Sequence, residues 1–180
     1  MNMDTTTPAL LPSMVTTKGD FLVDISQEQP VLMIFLRHFG CTFCREALAD
    51  LAAKQDEIAA AGIHLVLVHM STEEVANKYF KKYGLKKPVT HVADPECNYY
   101  KAFGLTKGSP HQLFGLQTWI RGFEAGVVKG HGVGMRQLGD GFQMPGVFVI
   151  REGEVVNSFV HKLASDRPEY LSLVRECCAV

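Results

Sequence analysis

The sequence predicts an α/β fold, a sheet of mixed direction covered by helices on both faces, and three observations predict it. Residues 31–36 (Val-Leu-Met-Ile-Phe-Leu) are apolar without alternation, as expected of a central strand buried on both sides. A helical pattern follows to about Gly62, and then a second apolar run, 63–69. Strand, helix and strand in that order form a right-handed crossover with parallel strands. Late in the chain, residues 146–150 and 155–160 flank Arg151-Glu152-Gly153-Glu154, a hairpin that ends the sheet antiparallel.

The elements follow in chain order. Residues 1–12 are expected to be a flexible tail and 13–180 a single domain. Residues 14–17 and 21–23 flank Lys18-Gly19-Asp20 and read as a short N-terminal hairpin, with 26–30 as a connector. The core strand spans 31–37. The helix after it lines up Leu48, Leu51, Gln55 and Ile58 on one side and turns Asp50, Lys54 and Glu57 to water. Gly62 ends that helix.

Ser71 with Glu74 suggests a capping box for a helix over 72–83, stopped by Gly84. A short strand at 89–93 precedes Asp94-Pro95, which opens a helix to about Phe103. Residues 105–144 are glycine-dense, with one helix-like piece at 112–123 carrying Trp119 and Phe123 on one apolar face. A long stretch without periodicity is usually functional or partly ordered. After the late hairpin, Asp166 or Ser165 caps a last helix from Pro168 to about Cys177.

Composition narrows the function classes. A formal net charge of −1, with 47% hydrophobic and 21% charged residues, is that of an ordinary globular protein. It offers no basic surface for nucleic acid, and no apolar run reaches the roughly 20 residues that span a bilayer. The first residues lack the basic start and apolar core of a signal peptide, so a cytoplasmic location is expected. In a reducing compartment a close cysteine pair points to catalysis or metal binding rather than to a structural bridge.

That pair is Cys41 and Cys44, set where the core strand passes into its helix. Unpaired amides and the macrodipole at a helix N-terminus favour the thiolate, which is the reactive form of cysteine. Cys41 at the N-cap, nearer the dipole and more exposed, is expected to be the nucleophile. Cys44, one turn on, is expected to resolve. Arg37, His38 and Arg45 are three basic neighbours expected to lower the Cys41 pKa further. His38 could also orient a peroxide or accept the Cys41 proton, or stand at the strand end with its ring in solvent. His38, Cys41 and Cys44 offer three zinc ligands where a structural site needs four, so no metal is expected. Cys177 and Cys178 read as bystanders or as thiols resolving a partner subunit.

The order of elements, with Cys-x-x-Cys at the first strand-to-helix corner, resembles the thioredoxin superfamily, and within it the peroxiredoxin-like branch of the alkyl hydroperoxide reductase and thiol-specific antioxidant group. Gly40-Cys41-Thr42 sits where related peroxiredoxins carry their peroxidatic cysteine. Asp94-Pro95 with Ala102-Phe103-Gly104-Leu105 resembles another segment of that family, and Val147-Phe148-Val149-Ile150 with Gly153 resembles its late hairpin. His38 stands where those proteins have a threonine, and Pro145 where they have an arginine. Met144-Pro145-Gly146 instead resembles the cis-proline loop of thioredoxins, which lies beside the Cys-x-x-Cys.

The resemblance implies a thioredoxin-like α/β/α sandwich with a mixed sheet, an N-terminal hairpin and a Gly-rich insertion before the last hairpin. It implies a thiol-dependent antioxidant peroxidase cycling Cys41 and Cys44 between dithiol and disulfide, supported by Arg37, His38, Thr42, Arg45, Met144 and Pro145. The alternatives are a protein disulfide reductase or redox carrier, and a redox-inert interaction module. Expected partners are a peroxide or disulfide, a thioredoxin-type or small-thiol reductant, and a second copy of the chain; no cofactor is implied.

Overall fold

The computed structural model describes residues 7–86, 88–109, 139–164 and 166–178. The helix expected over 112–123, with Trp119 and Phe123, lies outside them. The described strands are β1 (Val31–Phe35), β2 (His64–His69), β3 (Thr90–Ala93), β4 (Gly146–Arg151) and β5 (Glu154–Val160). They form one five-stranded sheet in the order β3-β2-β1-β4-β5. Strand β1 pairs parallel with β2 and antiparallel with β4, so the mixed sheet expected from the sequence is present.

The described helices are α1 (Leu22–Glu28), α2 (Thr42–Ala60), α3 (Glu73–Lys82), α4 (Asn98–Ala102) and α5 (Tyr170–Arg175). The unbroken apolar run of β1 serves two cores at once. Leu32 and Ile34 face a layer with Leu48, Leu51 and Ile58 of α2, Phe80 of α3 and Leu171 and Val174 of α5. Val31, Met33 and Phe35 face the other side, with Leu22 of α1, Tyr100 of α4 and Leu11. Side chains alternate across a strand, so one apolar strand can anchor both layers.

Four local expectations are corrected. Pairing between 14–17 and 21–23 amounts to one bridge, Val15 to Phe21, and the chain is helical from Leu22. Leu22 and Ser26, one turn apart, both turn inward there, which an extended connector could not achieve. The cap of α3 is Thr72, whose hydroxyl accepts from the Val75 amide at 3.4 Å, not Ser71. Helix α4 begins at Asn98, later than Pro95, because the Asp94 carboxylate takes the amides of Asn98, Tyr99 and Tyr100 at 2.8 to 3.1 Å. Helix α5 has no side-chain cap; Asp166 instead accepts from the amides of Lys162 and Leu163, closing the turn before it.

Candidate active site

The site is built by strand register. Phe35 of β1 pairs with Gly146 of β4, so residues just past Phe35 meet residues just before Gly146. This brings 36–41 against 143–145, segments over a hundred positions apart. A Cβ at Gly146 would lie 2.6 Å from Leu105 Cδ2, so any larger residue there would force the buried Leu105 side chain to shift. The end of β1 is also held from the opposite layer: the Tyr100 hydroxyl lies 2.6 Å from the Leu36 carbonyl and 3.1 Å from that of Val68.

At the centre is Arg37, only 3% exposed. Its Nε donates to the Gln143 carbonyl at 3.3 Å, its Nη2 to the Gly141 carbonyl at 2.5 Å, and its Nη1 to Cys41 Sγ at 3.2 Å. A guanidinium carries donors only, so the sulfur is the acceptor. Cys44 Sγ donates to the Arg37 carbonyl at 3.3 Å. One residue therefore touches both sulfurs, by its side chain on one and its backbone on the other.

Cys41 is the N-cap of α2, as expected, with Thr42 opening the helix. Its amide donates to the His38 carbonyl at 3.0 Å. Two expectations about it are overturned. It is not the more exposed thiol, because both are buried, Cys41 completely. Nor does its side chain bond a helix amide; the guanidinium takes that place. Cys44 is pushed well above the ordinary thiol range, by burial first and by neighbouring Cys41 next, so Cys44 is held as a thiol.

His38 is 7% exposed, which excludes a ring in solvent. Burial first, then Arg37, lowers its pKa to about 4. It is neutral at physiological pH and lends no positive charge to Cys41, contrary to expectation. It lies under the 139–141 segment: a Cβ on Gly139 would be 3.3 Å from His38 Cβ and 2.9 Å from Met70 Cβ, and Gly139 holds a φ of +102°. Arg45 Nε donates to the Phe39 carbonyl at 3.2 Å. It steadies the loop before Cys41.

A cavity of about 40 Å³ opens beside Cys44, lined in part by Arg37, Phe43, Pro145, His161 and Arg167. That is room for a water-sized polar molecule. Pro145 thus lines the same cavity as Cys44, and Met144 packs in one apolar cluster with Cys41 and Cys44. Sequence reasoning missed the carbonyls of Gly141 and Gln143, which carry no side-chain signature. It also missed His161, whose buried Nδ1 has no partner among the described residues; burial lowers its pKa. Among the described residues no group of three or more His, Cys, Asp or Glu could hold a metal.

The chain is 28% identical over 164 residues to a chloroplastic thioredoxin-like protein, AAED1, of Arabidopsis thaliana, covering 87% of this chain and 65% of that one. It is 29% identical over 160 residues to the prostamide/prostaglandin F synthase of Danio rerio, covering 85% and 77%. Among solved structures, peroxidoxin BcpB of Mycobacterium tuberculosis superposes with a TM-score of 0.62 at 13% identity, covering 92% of each chain. The bacterioferritin comigratory protein of Xanthomonas campestris gives 0.61 at 14%, covering 92% and 89%. At such identities the superpositions establish the fold, a thioredoxin-like one as the sequence predicted. The family model for AhpC/TSA antioxidant enzyme matches residues 50–163, over half of the sequence and downstream of both cysteines, and the chain belongs to that family.

Proposed function

We propose that the protein is a thiol peroxidase in which Cys41 is the nucleophile and Cys44 the resolving thiol. One observation carries this reading: the buried Arg37 guanidinium has no carboxylate partner among the described residues and donates to Cys41 Sγ. A buried cation without a counterion is costly, and a thiolate at Cys41 supplies one. Arg37 thereby takes up, from the end of β1, the place that the related peroxiredoxins fill with an arginine where Pro145 stands here.

The cycle balances with these residues alone plus a reductant. The Cys41 thiolate attacks a peroxide oxygen; the O–O bond breaks, and the leaving alkoxide or hydroxide takes up a proton. Cys41 becomes a sulfenic acid. The Cys44 thiol then attacks its sulfur, an S–S bond forms and water leaves. Two thiols from a thioredoxin-type protein or a small-thiol donor reduce the disulfide by exchange. The close cysteine pair suits a reducing compartment, the cytoplasm. Both sulfurs are buried in the structure, so reaction requires a local opening of the fold around them.

Stoichiometric peroxide should convert the protein to an intrachain disulfide, read by thiol titration and peptide mass spectrometry. Cys41→Ser should consume no peroxide, and Cys44→Ser should stop at a sulfenic acid that dimedone traps. Wild-type peroxide consumption by Cys41→Ser would end this reading. A second reading, disulfide reduction, is favoured by Pro145 lining the same cavity as Cys44. Turnover of a protein disulfide with no response to peroxide would select it. The name of the Danio rerio relative puts a prostaglandin-related lipid in the same substrate panel.

A further inference from the structure

Beyond the last helix lies a second pair of sulfurs. Cys177 and Cys178 have Sγ atoms 3.6 Å apart. Cys177 is exposed and Cys178 half-buried. Their amides both donate to the Val174 carbonyl, at 3.2 and 2.8 Å, and Cys177 Sγ lies 3.3 Å from the Leu173 carbonyl. The turn therefore presents two thiols side by side rather than splayed.

The spacing discriminates among partners for such a pair. Adjacent residues have Cα atoms about 3.8 Å apart, below the usual disulfide window of about 4.4–6.8 Å, so direct S–S closure is strained. With their sulfurs 3.6 Å apart, the two thiols can both bond one soft atom set between them without a change of backbone. Zinc would want four ligands, and no third His, Cys, Asp or Glu joins the pair among the described residues. The acceptor must be soft and satisfied by two thiolates.

We propose that Cys177 and Cys178 form a two-sulfur site for a trivalent organoarsenical, separate from the Arg37 site. It is separate because the C-terminal segment meets α2 first through Arg167 with Glu46 and Asp50, then through Glu169 with Lys54, running away from Cys41. Binding needs no oxidant. Two arsenic–oxygen bonds are exchanged for two arsenic–sulfur bonds, each thiol proton leaves with a hydroxyl as water, and arsenic stays trivalent. The site is independent of the peroxidase reading. Desolvation, then the neighbouring sulfur, pushes Cys177 up to about 12, so it remains a thiol toward peroxide while arsenic displaces its proton.

The test titrates phenylarsine oxide into the full reduced chain and reads adducts by intact mass, with excess monothiol present to strip singly bound arsenic. A Cys41→Ser, Cys44→Ser variant should retain a single arsenical; adding Cys177→Ser or Cys178→Ser should remove it, with the circular dichroism spectrum unchanged. No adduct on the first variant, or an adduct that survives loss of Cys177, overturns the proposal.

Discussion

Arg37 is the residue on which the chemistry converges. Arg37→Met keeps its length and apolar stem while removing the donor to Cys41 Sγ. Peroxide consumption in single turnover should fall about 100-fold, the usual effect of deleting one preorganised donor. Stability should fall by about 1–3 kcal/mol, because the buried Gln143 carbonyl and the half-buried Gly141 carbonyl lose their donor, while the fold is kept. A loss of folding matched to the loss of rate would instead make Arg37 structural. His38 gives a second prediction. Its folded pKa of about 4 lies below the ordinary 6.5, so the stability it contributes is full above about pH 6.5 and is lost as pH falls through 4. Urea unfolding at pH 7.5, 6 and 4.5 should show a decline that flattens in His38→Asn. His69, lowered to about 3 chiefly by burial and then by His91, adds to the same decline and should remain in that variant.

At the scale of elements, α4 shows how a short helix props up a distant site. Five residues cannot sustain a helix alone, yet Asp94 takes three of its amides. That capping places Tyr100 so that its hydroxyl reaches the carbonyl of Leu36, just past β1, and that of Val68, near the end of β2. Asp94→Ala should cost about 1–2 kcal/mol in denaturant unfolding, as the loss of a strong cap does. It should also speed alkylation of Cys41, because the end of β1 loses its support; unchanged labelling would separate the cap from the site. The resemblance in Asp94-Pro95 and Phe103-Gly104-Leu105 thus has a physical content. The acid caps, Gly104 turns at φ +69°, and Leu105 packs against the Gly146 backbone.

At the scale of the whole molecule, the C-terminal segment closes one side of the site. Arg167 lines the Cys44 cavity and pairs with Glu46 and Asp50 of α2. These groups are nearly half exposed, so Arg167→Ala should change stability by less than about 1 kcal/mol. Its effect should be on access: in a Cys41→Ser background, Cys44 should react faster with iodoacetamide once the arginine is gone. An unchanged rate would mean that reagents enter elsewhere, beneath the 139–141 segment.

Sequence alone determined the order of elements, the central strand and the cysteine pair at its exit, because apolar periodicity, capping residues and Gly stops act over a few neighbouring positions. Gly62 and Gly84 end α2 and α3 at φ +70° and +82°, as their places in the sequence implied. The short-range expectations that failed, the connector at 26–30 and the Ser71 cap, involved choices between adjacent hydroxyls or between weakly patterned turns. Only the tertiary structure decided which basic neighbour matters. Arg37, His38 and Arg45 are equivalent on paper, but burial strips the proton from His38, Arg45 Nε bonds the Phe39 carbonyl, and the β1–β4 register sets two carbonyls across from Arg37, whose Nη1 reaches Cys41 Sγ. A guanidinium is aimed by what surrounds it, and here its surroundings come from more than a hundred residues away.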